Sequence, residues 1–432
     1  MPEKEGLSRL WKKEDWWAIW IAALAILLTC LGFVSAVPKI GSWDSNPIRS
    51  IGSLLPLFYL YIGIAIPFVA AAAVMKEKPA KVLPGLTAIY ILAILGFVLA
   101  RQKGIEAYGL EYPLWGLAVG LLISNTLGTP DWVKAGAKTE FYIKTGLVLL
   151  GAEILFNKIL AKGAPALFVA WLVTPIVIVF MYLFGTRFLK MTNRALVIVI
   201  ATATSVCGVT AAIAAAAASK AKKEDLTLAI GMSLLFTVAM MVGMPALVKA
   251  VGMDLEVGAA WLGGTIDATG AVVAAGAFLG PEAEKTAAIV KMVQNILIGV
   301  VAFAIAVFWV TSVENNPSQG RPSLKEIWIR FPKFILGFIG ASLLFSFVLV
   351  PSMGLDVVEN EILGQTKNLR AWLFCMGFVS IGLESNFKEL ASQMVGGKPI
   401  VLYVVGQTFN IVLTLLAAYL AFGGILFPRT VG

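Results

Sequence analysis

Residues 201–219 read ATATSVCGVTAAIAAAAAS, an apolar stretch in which small hydroxyl residues flank Gly208. Glycine and β-branched threonine are poor helix formers, so a membrane helix here is predicted to break near 205–210. Inside a bilayer, a broken helix is tolerated only where it lines a cavity or is buried in protein. Its second half would direct free N–H groups at an anion. The alternative is a continuous helix with a small-residue packing face.

A second stretch of this kind, at 263–276, reads GGTIDATGAVVAAG and predicts a break near 263–270. It contains Asp267, and a carboxylate at the centre of a membrane helix costs about 2.5–3.5 kcal/mol on insertion scales. Asp267 is therefore expected to bind a coupling proton or Na⁺, or to pair with a lysine. An ion pair that only fixes helix packing is the alternative interpretation.

The next apolar span carries three polar residues, Lys291, Gln294 and Asn295, at positions that share one helical face. This face is predicted to point inward, where Lys291 would supply a positive charge for an anion or for a buried carboxylate. Gln407 and Asn410 repeat the spacing in the last span. We interpret them as interhelical hydrogen-bonding groups rather than ligands of a solute.

The composition identifies a membrane protein. Of 432 residues, 59% are hydrophobic and 14% charged, against roughly 45–50% and about 25% in soluble proteins. There is no histidine, which excludes a His-ligated metal, a Ser-His-Asp triad and a histidine proton relay. The three cysteines lie far apart in apolar stretches, and no phosphate-binding loop motif occurs. We therefore expect no enzyme, cofactor, metal or nucleic-acid partner, and assign the net charge of +9 to loops at a membrane surface.

Long, non-alternating apolar segments predict an all-α polytopic protein with about 13 transmembrane helices, since each needs about 20 mainly apolar residues. A β-barrel would show shorter segments of period two. The predicted spans are 16–37, 53–75, 82–100, 112–128, 140–157, 164–186, 195–219, 226–248, 257–280, 287–311, 329–351, 371–386 and 400–423.

The loop charges predict an orientation. With thirteen spans, more Lys and Arg fall on the side of the N-terminus, which is therefore expected to be cytoplasmic in a bacterial plasma (inner) membrane. The first span opens with Trp16, Trp17 and Trp20, an interfacial belt. It is expected to be a retained helix, and a cleaved signal peptide is the alternative.

Two segments of the chain resemble each other: GLVLLGAEILF at 146–156 and GFVSIGLESNF at 377–387. They lie seven predicted spans apart, so they would run in opposite directions, as in the inverted repeats of secondary transporters. Chance similarity of glycine-rich helices is the alternative. The matched Glu153 and Glu384 are expected to support these helices or to carry a coupling proton. The predicted organisation is 1–111 as additional N-terminal helices, 112–250 as a first repeat and 257–423 as a second repeat.

Three runs resemble the YeiH family, bacterial inner-membrane proteins assigned to sulfate export. The runs are SVCGVTAAIAAAAASKAKKEDLTLAIG (205–231), TIDATGAVVAAGAF (265–278) and AIVKMVQNILIGV (288–300). The resemblance covers about 112–423. In the family pattern a histidine stands where this chain has Ile266, and an arginine where it has Gln294. A more distant likeness to the bile acid, arsenite and riboflavin transporter superfamily implies inverted repeats and crossing broken helices.

The resulting hypothesis is a secondary active transporter that moves a small anionic solute, such as sulfate, by alternating access. An ion channel or a non-transporting membrane scaffold is the alternative, and a homo-oligomer is left open. The partners expected are the anion, the lipid bilayer and a coupling proton or Na⁺. The candidate substrate-binding residues are Ser205, Cys207, Gly208, Thr210, Thr265, Asp267, Gly270, Lys291 and Gln294. The candidate coupling or supporting residues are Glu153, Glu384 and Asn295.

Overall fold

A computed structural model describes residues 9–34, 36–107, 112–153, 156–313, 328, 332–388 and 397–428. These residues form helices and no β-strand, which confirms the all-α prediction. The longer helices are α1 (Glu14–Cys30), α2 (Leu54–Val74), α3 (Pro79–Ala100), α4 (Tyr112–Thr126), α5 (Thr139–Glu153), α6 (Lys162–Phe188), α7 (Arg194–Ser205), α8 (Gly208–Ser219), α9 (Lys223–Ala250), α10 (Leu255–Thr265), α11 (Thr269–Leu279), α12 (Pro281–Phe308), α13 (Phe334–Leu344), α14 (Gly364–Glu384) and α15 (Gly397–Phe422). π-Helical turns are Phe168–Leu172, Phe184–Phe188, Trp309–Val313, Phe345–Leu349 and Val358–Leu363.

Within the described part of the chain, seven helices are long and apolar enough to cross a membrane. They are Leu54–Val74, Pro79–Ala100, Lys162–Phe188, Glu224–Ala250, Pro281–Val313, Phe334–Met353 and Gly397–Phe422. Two further predicted spans, 195–219 and 257–280, consist of half-helices of 11 or 12 residues, each too short to cross alone. The total of about thirteen spans stays a prediction.

The chain folds into two compact units. Unit 1 comprises Met1–Lys158 and Lys333–Asn386, and unit 2 comprises Ile159–Pro332 and Phe387–Gly432. Each unit combines two separate chain segments, because α13 and α14 return to unit 1 before α15 completes unit 2. The predicted boundaries of the two repeats stay a prediction.

In unit 1, the two helices with the similar sequences, α5 and α14, pack directly on each other. Glu153 at the end of α5 forms an ion pair with Arg370 in the first half of α14, at 2.7 Å. At the other end, Thr139, the first residue of α5, donates to Glu384, the last residue of α14, at 3.0 Å. The helices are therefore antiparallel, which confirms the inverted relation of these two segments.

Glycines matched between the two segments make reciprocal contacts. A side chain at Gly146 of α5 would overlap the ring of Phe374, and one at Gly377 of α14 would overlap Ile143. The shift of 231 residues that relates Gly146 to Gly377 also relates Ile143 to Phe374. A pseudo-two-fold axis therefore relates the two helices of this pair.

In unit 2, both glycine-rich stretches are broken helices, as predicted. The first break separates α7 from α8 at Val206 and Cys207, where the backbone leaves the helical region. The second separates α10 from α11 at Ile266–Ala268, in extended conformation at Ile266 and Ala268. Gly208 has a positive φ of 25°, which a residue with a Cβ adopts only under strain.

Long helices surround the two breaks. α12 packs against α8, α10 and α11, and α15 packs against α7 and α10. α9 contacts α7, α8 and α11. The two broken helices are thus enclosed by helices of unit 2, which is the protein environment that broken helices require inside a membrane.

Candidate functional site

The half-helices α7 and α10 end beside one another, and Lys291 of α12 joins their ends. Its Nζ donates to the carbonyl oxygen of Val206 at the first break and to that of Ile266 at the second, the latter at 2.7 Å. A third bond runs to Oε1 of Gln294 at 2.7 Å. The last carbonyls of a helix lack intrahelical partners and carry its negative dipole end, so a cation is favourable there. All three donors of this ammonium group are therefore used within the protein.

Two amide side chains repeat this bridging. Nε2 of Gln294 donates to one carbonyl of each broken helix, at 3.1 and 3.0 Å, and Nδ2 of Asn410 does the same at 3.2 and 3.4 Å. The carbonyls belong to Ser205 and Gly264 for Gln294, and to Thr204 and Thr265 for Asn410. Asn410 thus makes the interhelical hydrogen bonds predicted for it. Gln407 does so too, since its Nε2 lies 3.3 Å from the Thr265 carbonyl oxygen.

The beginnings of α8 and α11 also meet. Sγ of Cys207, which precedes α8, lies 3.4 Å from Oγ1 of Thr269, the first residue of α11. Neither Cys207 nor Ala268 caps its helix with a side-chain hydrogen bond. The first N–H groups of a helix have no intrahelical acceptor, and each helix start carries roughly half a positive charge. Asn295 supports this point by donating to Thr269 at 3.0 Å. Two positive helix ends therefore converge in a buried region of unit 2.

Asp267 lies within the second break and is 1% exposed. Its Oδ2 accepts hydrogen bonds from the Tyr403 hydroxyl and from Ser233 Oγ, the latter at 3.1 Å. Its Oδ1 has no hydrogen-bond partner among the residues that the structure describes. Asp267 also lies close to the start of α8, since a Cβ built on Gly208 would be 3.6 Å from its own Cβ. The hydrogen-bond partners of Lys291 and of Asp267 are different groups.

The structure therefore brings most of the candidate residues together in unit 2. Those at or directly beside the two breaks are Ser205, Cys207, Gly208, Thr265, Asp267, Lys291, Gln294 and Asn295. Thr210 and Gly270 lie in the first turns of α8 and α11. The two candidate glutamates belong to unit 1, where Glu153 pairs with Arg370 and Glu384 accepts from Thr139.

Sequence reasoning missed two groups at the site, Tyr403 and Ser233, and missed Arg370 in unit 1. Tyr403 had a usable signal, because it precedes Gln407 by four residues and Asn410 by seven and so shares their helical face. Ser233 stands in α9 without a neighbouring polar pattern. Arg370 lies just outside the predicted span 371–386, whereas α14 begins at Gly364 and contains it.

Comparison with known proteins places the chain among membrane proteins. The family described as conserved hypothetical protein 698 matches residues 84–403. A UPF0324 membrane protein of Rhodopirellula baltica is 53% identical, over 89% of this chain and 71% of its own length. One of Nitratidesulfovibrio vulgaris is 50% identical, over 88% of this chain and 66% of its own length. One of Nitrosomonas europaea is 27% identical, over 92% and 93% of the two chains. The chain thus spans about two thirds of the length of the first two relatives. No solved structure matches it.

Proposed function

This chain belongs to the family described as conserved hypothetical protein 698, the YeiH-like UPF0324 membrane proteins, and we propose that it is a secondary active transporter of a small anionic solute. In this proposal it has no enzymatic activity. It lies in the bacterial plasma membrane with a cytoplasmic N-terminus, and it works alone or as a homo-oligomer. The solute binds between the starts of α8 and α11 in unit 2.

The observation that carries the proposal is the contact between those two helix starts, Cys207 Sγ to Thr269 Oγ1 at 3.4 Å. Each start offers free N–H groups and a positive dipole end, which together favour an oxyanion. The opposite, negative helix ends are already satisfied by Lys291, Gln294 and Asn410. An incoming anion would therefore meet donors rather than carbonyl oxygens.

Two further features support transport over a purely structural role. Broken helices at membrane depth and inverted repeats are the features from which secondary transporters build their sites. The antiparallel packing of α5 and α14, whose sequences resemble each other, supports such a repeat. The resemblance to sulfate exporters makes sulfate the first solute to test.

The test is uptake of radiolabelled sulfate into proteoliposomes that contain the purified protein. We expect saturable uptake that other small oxyanions inhibit. Currents too large for a carrier, with no saturation, would indicate a channel, and no flux of any oxyanion tested would indicate a scaffold.

Cys207 provides a test of the site itself. A small thiol reagent is expected to block uptake by modifying Cys207 when the site opens to water, and sulfate is expected to slow the block. Cys30 is partly exposed, so it is replaced by alanine in all proteins tested. The matched control is Cys207→Ala in that background, which should resist the reagent, since Cys375 lies in unit 1 with 0% exposure. A block that persists in Cys207→Ala, or that sulfate does not slow, would contradict the assignment.

A further inference from the structure

Three buried side-chain oxygens on the second break and on the adjoining part of α15 have no hydrogen-bond partner among the described residues, and a fourth, Asn295 Oδ1, lies on α12 beside Thr269. The three are Asp267 Oδ1, Thr265 Oγ1 and Gln407 Oε1, on side chains that are 1%, 1% and 4% exposed. A buried polar atom without a partner is costly, and native proteins leave few of them. Three such oxygens in one region indicate a ligand that offers positive charge.

Two contacts between α15 and the second break place the three side chains in one region. Gln407 Nε2 lies 3.3 Å from the carbonyl oxygen of Thr265, and a single residue separates Thr265 from Asp267. Tyr403, one turn before Gln407 on the same face of α15, donates to Asp267 Oδ2. Ser233 occupies Oδ2 as well, so Oδ1 is the oxygen left for a ligand.

We propose that Thr265, Asp267 and Gln407 form a Na⁺ site, and this inference rests on the proposed transport function because the ion would be the coupling cation. A carboxylate, an amide oxygen and a hydroxyl are the ligand types that hard cations prefer. Lys291 already places one buried positive charge near Asp267, so a divalent ion would add more uncompensated charge than Na⁺, whose single charge the proposed anion can balance. Lys291 interacts electrostatically with Asp267, but its hydrogen bonds go to Val206, Ile266 and Gln294, so it leaves Asp267 Oδ1 open to a ligand.

A proton bound to Asp267 would leave more of these three oxygens without a hydrogen-bond partner. Protonated Asp267 would gain one donor and could supply at most one of the other two oxygens. A Na⁺ ion would offer positive charge to all three oxygens at once. The position also suits coupling, because Asp267 lies two residues before Thr269, where the proposed anion site begins. A bound cation would raise the affinity for the anion, and the anion would raise that for the cation by the same factor.

The experiment measures Na⁺ binding without any transported anion. Purified protein is titrated with radiolabelled Na⁺ in chloride buffer, and its melting temperature is followed in sodium, potassium and choline chloride at equal ionic strength. We expect saturable binding and a melting temperature that rises with Na⁺ and levels off, because a ligand of the folded state stabilises it by mass action.

The decisive variant is Thr265→Val, and Thr204→Val is its matched control. Thr204 and Thr265 end the corresponding half-helices α7 and α10, but Thr204 Oγ1 donates to Ile200 at 2.8 Å while Thr265 Oγ1 has no partner in the described part of the chain. Thr265→Val should lower Na⁺ affinity by at least about tenfold, a loss typical of weakened metal sites. In the absence of Na⁺, the Thr265→Val protein should be no less stable than the wild-type protein. The control Thr204→Val should keep the Na⁺ affinity of the wild type.

Each other result overturns the inference. Equal stabilisation by sodium and choline would show that no Na⁺ site exists, and a melting temperature that follows pH but not Na⁺ would assign the carboxylate to a proton. Unchanged Na⁺ affinity in Thr265→Val would remove the three-oxygen site. Because sulfate is absent, these failures leave the transport proposal standing, and a lack of sulfate flux with intact Na⁺ binding would count against transport alone.

Discussion

Lys291 shows how a membrane lysine can be held largely by backbone carbonyl groups, with the charge of Asp267 nearby. Because lysine is positively charged and this one lies in mid-span, the sequence predicts that it balances the charge of the solute or of a buried carboxylate. Both interpretations rest only on the free-energy cost of an unpaired charge inside a membrane. The partners in the structure are the carbonyls of Val206 and Ile266, backbone groups that no sequence pattern displays. A break can be predicted from glycine and threonine, but which side chain binds its freed carbonyls depends on how the half-helices pack.

Lys291→Met is therefore expected to destabilise the fold. Hydrogen bonds to a charged group contribute about 1.5–3 kcal/mol each, so losing two of them at buried carbonyls should cost on the order of 3–6 kcal/mol. The measurement is thermal or denaturant unfolding of the purified protein. The control on the same helix is Lys285→Met, whose 2.9 Å pair with Glu282 is a surface i,i+3 pair worth about 0–1 kcal/mol. A fully stable Lys291→Met that no longer binds sulfate would instead assign Lys291 to the solute.

Gly208 is the second residue on which the break depends. Gly208→Ala would put a Cβ 2.7 Å from Ser233 Oγ and would strain a backbone with a φ of 25°. We expect a loss of about 1–3 kcal/mol, the range for such overpacking, together with reduced uptake. Gly243→Ala is the control, since a Cβ there meets nothing within 4 Å and a helical glycine replaced by alanine gains roughly 0.5–1 kcal/mol. Equal stability of the two variants would show that the conformation at Gly208 is not needed.

At the scale of helices, composition located the two breaks because glycine and threonine are poor helix formers in mid-span, and the second break also contains a carboxylate. It could not give the number of spans. α4 and α5 each have 15 residues, and α14 carries polar residues in its first turns, so none meets a simple test of length and hydropathy. These three helices pack closely within unit 1 through glycines, such as Gly382 of α14, which lies against the backbone of α4.

The reciprocal contacts of α5 and α14 predict matched responses. Gly146→Ala would meet the Phe374 ring, and Gly377→Ala would meet Ile143. Both should therefore destabilise unit 1 by similar amounts, about 1–3 kcal/mol each. Gly340→Ala on α13, where a Cβ meets nothing within 4 Å, should cost less. Unfolding midpoints of the three variants provide the measurement, and a large effect at only one of the two matched glycines would contradict the pseudo-two-fold relation.

At the scale of the whole molecule, the two units contain different kinds of buried carboxylate. In unit 1, Glu153 has a two-point ion pair with Arg370, with distances of 2.7 and 3.1 Å, which fully occupies both of its oxygens. In unit 2, Asp267 keeps one oxygen without a partner among the described residues. The sequence could rank these carboxylates only by their depth in predicted spans. Their partners, Arg370 on one side and Tyr403 with Ser233 on the other, come from residues far apart in the chain.

This difference predicts which carboxylate couples transport to a cation. Asp267→Asn should abolish the dependence of sulfate uptake on a Na⁺ gradient, because the neutral amide no longer balances the charge of the ion. Glu384→Gln should keep that dependence, since Glu384 lies at the end of α14 in unit 1, where its Oε2 accepts from Thr139 at 3.0 Å. Glu153→Gln should lose about 3–5 kcal/mol of stability, because it removes the carboxylate that pairs with the buried guanidinium of Arg370. Glu153→Leu combined with Arg370→Met should recover most of that loss and retain the gradient dependence. Uptake measured at equal protein content, with and without the gradient, separates these outcomes. Loss of gradient dependence in Glu384→Gln with its retention in Asp267→Asn would move the coupling site to unit 1.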